Sequence, residues 1–168
     1  MNKFLLDSHA HLDDPDFNAD REAVIERARA AGLRYLLAVG GGTGPDNLEA
    51  PITLAECRDW IYATVGVHPH EARHFEERHA EQIRKLAQHP KVLAIGEIGL
   101  DYYHDHSPRE IQKLTLIRQL ELAGKQDFPS SFIAAMPGRT SRRLFRPTGN
   151  RAGSAASYTA SRATAKML

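Results

Sequence analysis

The chain has 168 residues, enough for one domain with a hydrophobic core and too few to require two. Its 22 Lys and Arg against 21 Asp and Glu exclude a surface built as a whole to hold a polyanion or a polycation. A single cysteine, Cys57, excludes an intramolecular disulfide, and between Glu56 and Arg58 it is expected to be a small buried apolar group. Phe4-Leu5-Leu6 is too short for a signal peptide, and no apolar run reaches spanning length, so a cytoplasmic protein without a membrane partner is expected.

The charge balance conceals a split. Residues 1–127 hold 15 basic and all 21 acidic residues, whereas residues 128–168 hold seven basic and no acidic ones. All nine histidines lie in the first part. The second is Ala, Ser, Thr, Arg, Gly and Pro without apolar periodicity, a composition that buries too little surface to order itself. A boundary near Asp127 is therefore predicted, with a disordered tail and neither strand nor helix from Pro129 onward.

Lys3–Ser8 reads as the first buried strand. Val24, Ala28 and Ala31 recur at helical spacing, and Gly32 is placed to end that helix in the left-handed conformation. Leu33–Val39 is the second strand. The segment from Asp46 to Asp59 reads as a helix weakened by Pro51. Ile61–Val67 is the third strand, and Ala80, Ile83 and Ala87 mark the next helix. Val92–Ile95 is the fourth strand, after which Ser107 and Pro108 open a helix whose apolar stripe is Ile111, Leu114 and Ile117. Strict alternation implies a parallel sheet with right-handed crossovers, either half of a (β/α)8 barrel or most of a doubly wound sheet.

Three strand ends carry ligand-type residues. His9 and His11, two apart, share a face at the end of the first strand. Gly66-Val67-His68-Pro69-His70 closes the third, and Gly96-Glu97-Ile98-Gly99-Leu100-Asp101 brings two carboxylates to the fourth. Parallel strands deliver their carboxyl ends to one rim, so a joint metal site is expected, and paired imidazoles suit Zn, Mn, Fe or Co better than Mg or Ca. His74, His79 and His89 sit among Glu, Arg and Gln and read as a solvated face. His104 and His106 lie in a polar loop with possible access to substrate. Gly40-Gly41-Gly42-Thr43-Gly44 lacks the lysine of a phosphate loop and reads as a turn.

The three segments Asp7–Leu12, Gly66–His70 and Gly96–Tyr102, in this order and at these strand ends, resemble the N-terminal signatures of TatD-type metal-dependent hydrolases, over about residues 3 to 127. The resemblance implies a (β/α)8 TIM-barrel-type fold truncated to its first four βα units. It also implies a divalent-metal-dependent deoxyribonuclease, acting 3′ to 5′ on DNA, with two ions of the Mg, Mn or Zn class and no obligate protein partner. His9 and His11 would be metal ligands, Glu97 a carboxylate bridging the two ions, and His68 a substrate or phosphate contact. Hydrolysis by two ions about 3.5–4 Å apart fits such a set.

Family members continue with a fifth strand of the form PIIIHCRDAW, a later HCFSG strand end and a late acidic ligand, none of which this chain contains. Codons for Pro129 to Arg139, read two bases further along, can give PIIIHCRDAWA, and the same shift converts Ser157 to Arg162 into a reading with LHCFSG. Residues 128–168 are therefore expected to be frameshifted, leaving a half-site of impaired activity and open strand edges prone to aggregation. Two other readings stay open. One is an amidohydrolase or lactonase, because an HxH pair and a later carboxylate serve those reactions as well. The other is a non-catalytic fragment whose basic tail, with Arg139, Arg142, Arg143, Arg146 and Arg151, contacts nucleic-acid phosphates.

Overall fold

The computed structural model describes residues 5–125 in full and the backbone of residues 130–135 and 142–146. β1 (Leu5–Ala10), β2 (Leu33–Ala38), β3 (Ile61–Val65) and β4 (Val92–Asp101) alternate with α1 (Arg21–Ala30), α2 (Ala50–Glu56), α3 (Glu77–Leu86) and α4 (Arg109–Lys125). The sheet order is β1-β2-β3-β4, parallel throughout. Each crossover therefore steps in the same direction. A doubly wound sheet reverses direction at a switch point; the uninterrupted order is that of a barrel, which resolves the alternative that periodicity left open.

Local chemistry explains the element ends. Gly32 has φ +97°, so α1 stops where a side chain would be strained. Pro51 falls in the first turn of α2, where a missing N–H costs nothing, and the expected helix forms as a short one. Between sheet and helices lie Ile25, Ile61, Val65, Ile83, Ile95 and Ile98, all fully buried. Each contributes about 1.5–3 kcal/mol on burial.

Five expectations need correction. Past Pro129 two strands form: β5 (Ser130–Ala135) pairs parallel with β4, and β6 (Arg142–Arg146) pairs antiparallel with β5. The open edge of β4 offers unpaired N–H and C=O groups, and an extended segment satisfies them without any hydrophobic pattern. Cys57 is exposed, with its thiol toward the Thr53 carbonyl at 3.6 Å. His79 is buried and not solvated: its Nδ1 accepts from the Glu76 N–H at 3.0 Å in a reciprocal cap at the start of α3.

The fourth correction concerns α4. Ile111, Leu114 and Ile117 face outward, Leu114 at 63% exposure, while Gln112, Thr115, Gln119, Leu122 and Ala123 face the sheet. The fifth is Ser107: the helix expected after it forms from Arg109, but its side chain does not cap that helix. Its hydroxyl donates to the His70 carbonyl at 2.6 Å and accepts from the Arg73 N–H at 3.1 Å. β1 is an edge strand with Leu5 and Leu6 more than half exposed. Among the described residues no helix is long and apolar enough to cross a membrane. The tail arginines and the frameshifted reading of residues 128–168 lie outside the residues whose side chains are described.

Candidate metal centre

Two register irregularities aim the ligand-type residues. The β1–β2 pairing slips between Asp7 and Ala10, around His9, and the β4–β5 pairing slips between Ile95 and Ile98, around Glu97. Such slips turn side chains that a regular ladder would align with their neighbours. The Glu97 N–H leaves the ladder to donate to the Gly40 carbonyl at 2.8 Å.

The result is a compact candidate ligand set. His9 Nε2 and His11 Nε2 stand 3.0 Å apart, facing Glu97 Oε1 at 3.4 Å and Oε2 at 3.6 Å. His11 Nδ1 donates to the Val39 carbonyl at 3.0 Å, since a carbonyl can only accept. In the neutral ring this leaves Nε2 without a proton and with its lone pair in the cluster, the arrangement an outer hydrogen bond gives to a metal-ligating imidazole. A buried carboxylate opposite two imidazole nitrogens fits a divalent ion of the zinc or manganese class.

Thr64 of β3 joins β4 to the turn that follows β2. Its hydroxyl donates to the Gly96 carbonyl at 2.7 Å and accepts from the Gly40 N–H at 3.0 Å. Gly66 sits where a Cβ would meet the Gly96 backbone at 2.9 Å, so β3 and β4 approach this closely only because no side chain intervenes.

His68 lies near this set without joining it. Its Nδ1 accepts from the His70 N–H at 3.1 Å, which leaves the ring proton on Nε2. Burial, outweighing the opposite pull of Glu97, pushes its pKa down to about 4, so it is a neutral donor at pH 7. The turn that carries it is held by Gln119, whose side-chain amide accepts from the Val67 N–H at 2.7 Å and donates to the Val67 carbonyl at 3.1 Å.

A second cluster was only partly visible in the sequence. His70 Nε2 lies 2.6 Å and His104 Nδ1 2.8 Å from Asp101 Oδ2, and Oδ1 accepts the Tyr103 and His104 N–H groups at 2.9 and 3.0 Å. Burial alone would raise the Asp101 pKa, but these bonds from His104, His70 and Tyr103 hold it well below the usual carboxylate range. Gln112 secures the strand end: it accepts from the Asp101 N–H at 2.8 Å and donates to the Asp101 and Ser107 carbonyls at 3.1 and 2.7 Å. Sequence reasoning missed Thr64, Gln112 and Gln119. The signal available was two glutamines seven residues apart, hence on one helix face.

A family model for TatD related DNase matches residues 6–132. The chain belongs to the TatD family. A metal-dependent hydrolase of uncharacterised activity, YabD of Bacillus subtilis, is 39% identical over 125 residues, covering 74% of this chain and 48% of the relative. A 3′-5′ ssDNA/RNA exonuclease TatD of a Rahnella species is 36% identical over 137 residues, covering 82% and 52%. Among solved structures, the TatD homologue YjjV of Escherichia coli superposes with a TM-score of 0.69 at 33% identity, over 76% of this chain and 49% of that one. The chain thus spans about half the length of the TatD relatives it matches, and its parallel strands form half of their barrel.

Proposed function

We propose that this chain carries the front half of the active site of a metal-dependent phosphodiesterase acting on DNA, with the 3′ to 5′ single-strand polarity named in several relatives. The convergence of His9, His11 and Glu97 on one point is the observation that carries the reading. When bound there, divalent ions supply Lewis acidity toward a phosphodiester oxygen. His9 and His11 would hold such an ion through their imidazole nitrogens, and Glu97, with one oxygen near each imidazole, would supply the carboxylate ligand. His68, neutral and with its proton on Nε2, donates a hydrogen bond to a phosphate oxygen without leaving a buried charge.

The proposal includes the boundary near residue 127. The family match ends at residue 132, within β5, and the histidine of the shifted reading falls at position 133 of that same strand, opposite Gly99 of β4 and two residues beyond Glu97. A frame-corrected chain would therefore complete the ligand set where this one stops.

The test is metal-dependent degradation of 3′-labelled single-stranded DNA by the 168-residue chain and by the frame-corrected one, with Mg, Mn or Zn. We expect activity from the corrected chain, lost on Glu97→Ala, and little from the short chain. Strong activity of the short chain would show that half a barrel suffices and refute the boundary. A corrected chain inert on DNA but active on amides or lactones would replace the nuclease reading with the amidohydrolase one.

A further inference from the structure

We infer that His70, Asp101 and His104 form a second divalent-cation site, separate from His9, His11 and Glu97 and taking an ion of the zinc class. The two sets share no residue, and in each the donor atoms lie within 4.8 Å of one another. The inference is independent of the nuclease reading.

Two imidazoles from different segments meet at one carboxylate oxygen. His70 comes from the turn Pro69–His74, and His104 from the loop after β4. Asp101 is buried, while His104 is half exposed, so an ion can enter from the loop side. Two imidazole nitrogens and one carboxylate oxygen are the donor set of a zinc-type site with a fourth position left over. His106 lies beside both imidazoles, its ring 4.5 Å from that of His70 and parallel to that of His104 at 5.8 Å.

The support around these three residues is also that of a ligand site. Asp101 Oδ1 is held by two backbone N–H groups, leaving Oδ2 for the cluster. The His70 carbonyl is tied to Ser107, and the Asp101 backbone to Gln112. Ligating residues are oriented by such outer bonds. An ion here would replace the two imidazole N–H bonds to Oδ2 and staple the post-β4 loop to the Pro69–His74 turn.

The experiment is a cobalt(II) titration of the full 168-residue chain carrying His9→Ala and Glu97→Ala, followed by absorption. We expect retained binding with a tetrahedral-type visible spectrum, weakened at least roughly tenfold by adding His104→Ala. His104 is on an exposed loop, so this variant tests the ligand and not the fold; circular dichroism of each variant verifies that. In the unsubstituted chain, zinc should shift the ring nitrogen resonances of His70 and His104 along with those of His9 and His11. No cobalt binding in the doubly substituted chain would overturn the inference, as would binding indifferent to both His104→Ala and His70→Ala. In the unsubstituted chain, zinc shifts at His70 and His104 without shifts at His9 and His11 would support this site and count against the proposed active site alone.

Discussion

The two histidine–carboxylate clusters use the same residue types and differ in what holds them together. Around Asp101 each imidazole is within hydrogen-bond distance of the carboxylate, which is saturated by four donors. Around Glu97 the carboxylate oxygens stand 3.4 and 3.6 Å from the imidazoles, and the two Nε2 atoms face each other at 3.0 Å. At that distance the His9 Nε2–H donates to the bare His11 Nε2, and the same two nitrogens are close enough to share one cation. The first arrangement is stable by its own protons, and a metal must displace them. In the second, a metal would take the place of the hydrogen bond between the two rings and draw both toward the Glu97 carboxylate.

Four substitutions would break or sharpen that contrast. Glu97→Gln removes the charge that the His9–His11 pair leaves to it, and manganese or zinc affinity at this site should fall by more than about 100-fold in calorimetric titration. Thr64→Val preserves shape but orphans the buried Gly40 N–H and Gly96 carbonyl, so urea unfolding of the metal-free chain should show a loss of about 2–6 kcal/mol, at about 1–3 kcal/mol per group. Asp101→Asn replaces an acceptor of four bonds with a group that must turn a donor toward some of them. A loss of about 1–3 kcal/mol is expected in the metal-free chain, with affinity at the His9–His11–Glu97 site unchanged within error. Were Asp101→Asn silent in urea, the second cluster would not be held by its own protons. Smallest is Leu114→Gln on the outer face of α4, expected within about 0.5 kcal/mol of the parent in the same assay.

Helices α3 and α4 show what a pattern can and cannot reveal. In α3 the stripe Ala80, Ile83, Ala87 packs inward as its spacing predicts. In α4 an equally regular stripe faces out, because the inward face is used for hydrogen bonds to loop backbone: Gln119 to Val67, Gln112 to Asp101 and Ser107. Periodicity reports that a helix has faces, and the partner decides which one is buried. His79 teaches the same lesson, since a polar neighbourhood in sequence says nothing about a cap formed by its ring nitrogen.

By itself the sequence determined the alternation of strands and helices, the strand ends that bear His9, His11, His68 and Glu97, and the family those motifs belong to. These are short-range properties: apolar period, turn residues and ligand types two or a few positions apart. Only the tertiary structure decided the uninterrupted strand order, the register slips that aim His9 and Glu97 at one point, and the meeting of His70 and His104 on Asp101. Each of these depends on which backbone groups pair across the sheet and between loops tens of residues apart. That choice is made by close approach and hydrogen-bond satisfaction in three dimensions, and no local pattern encodes it.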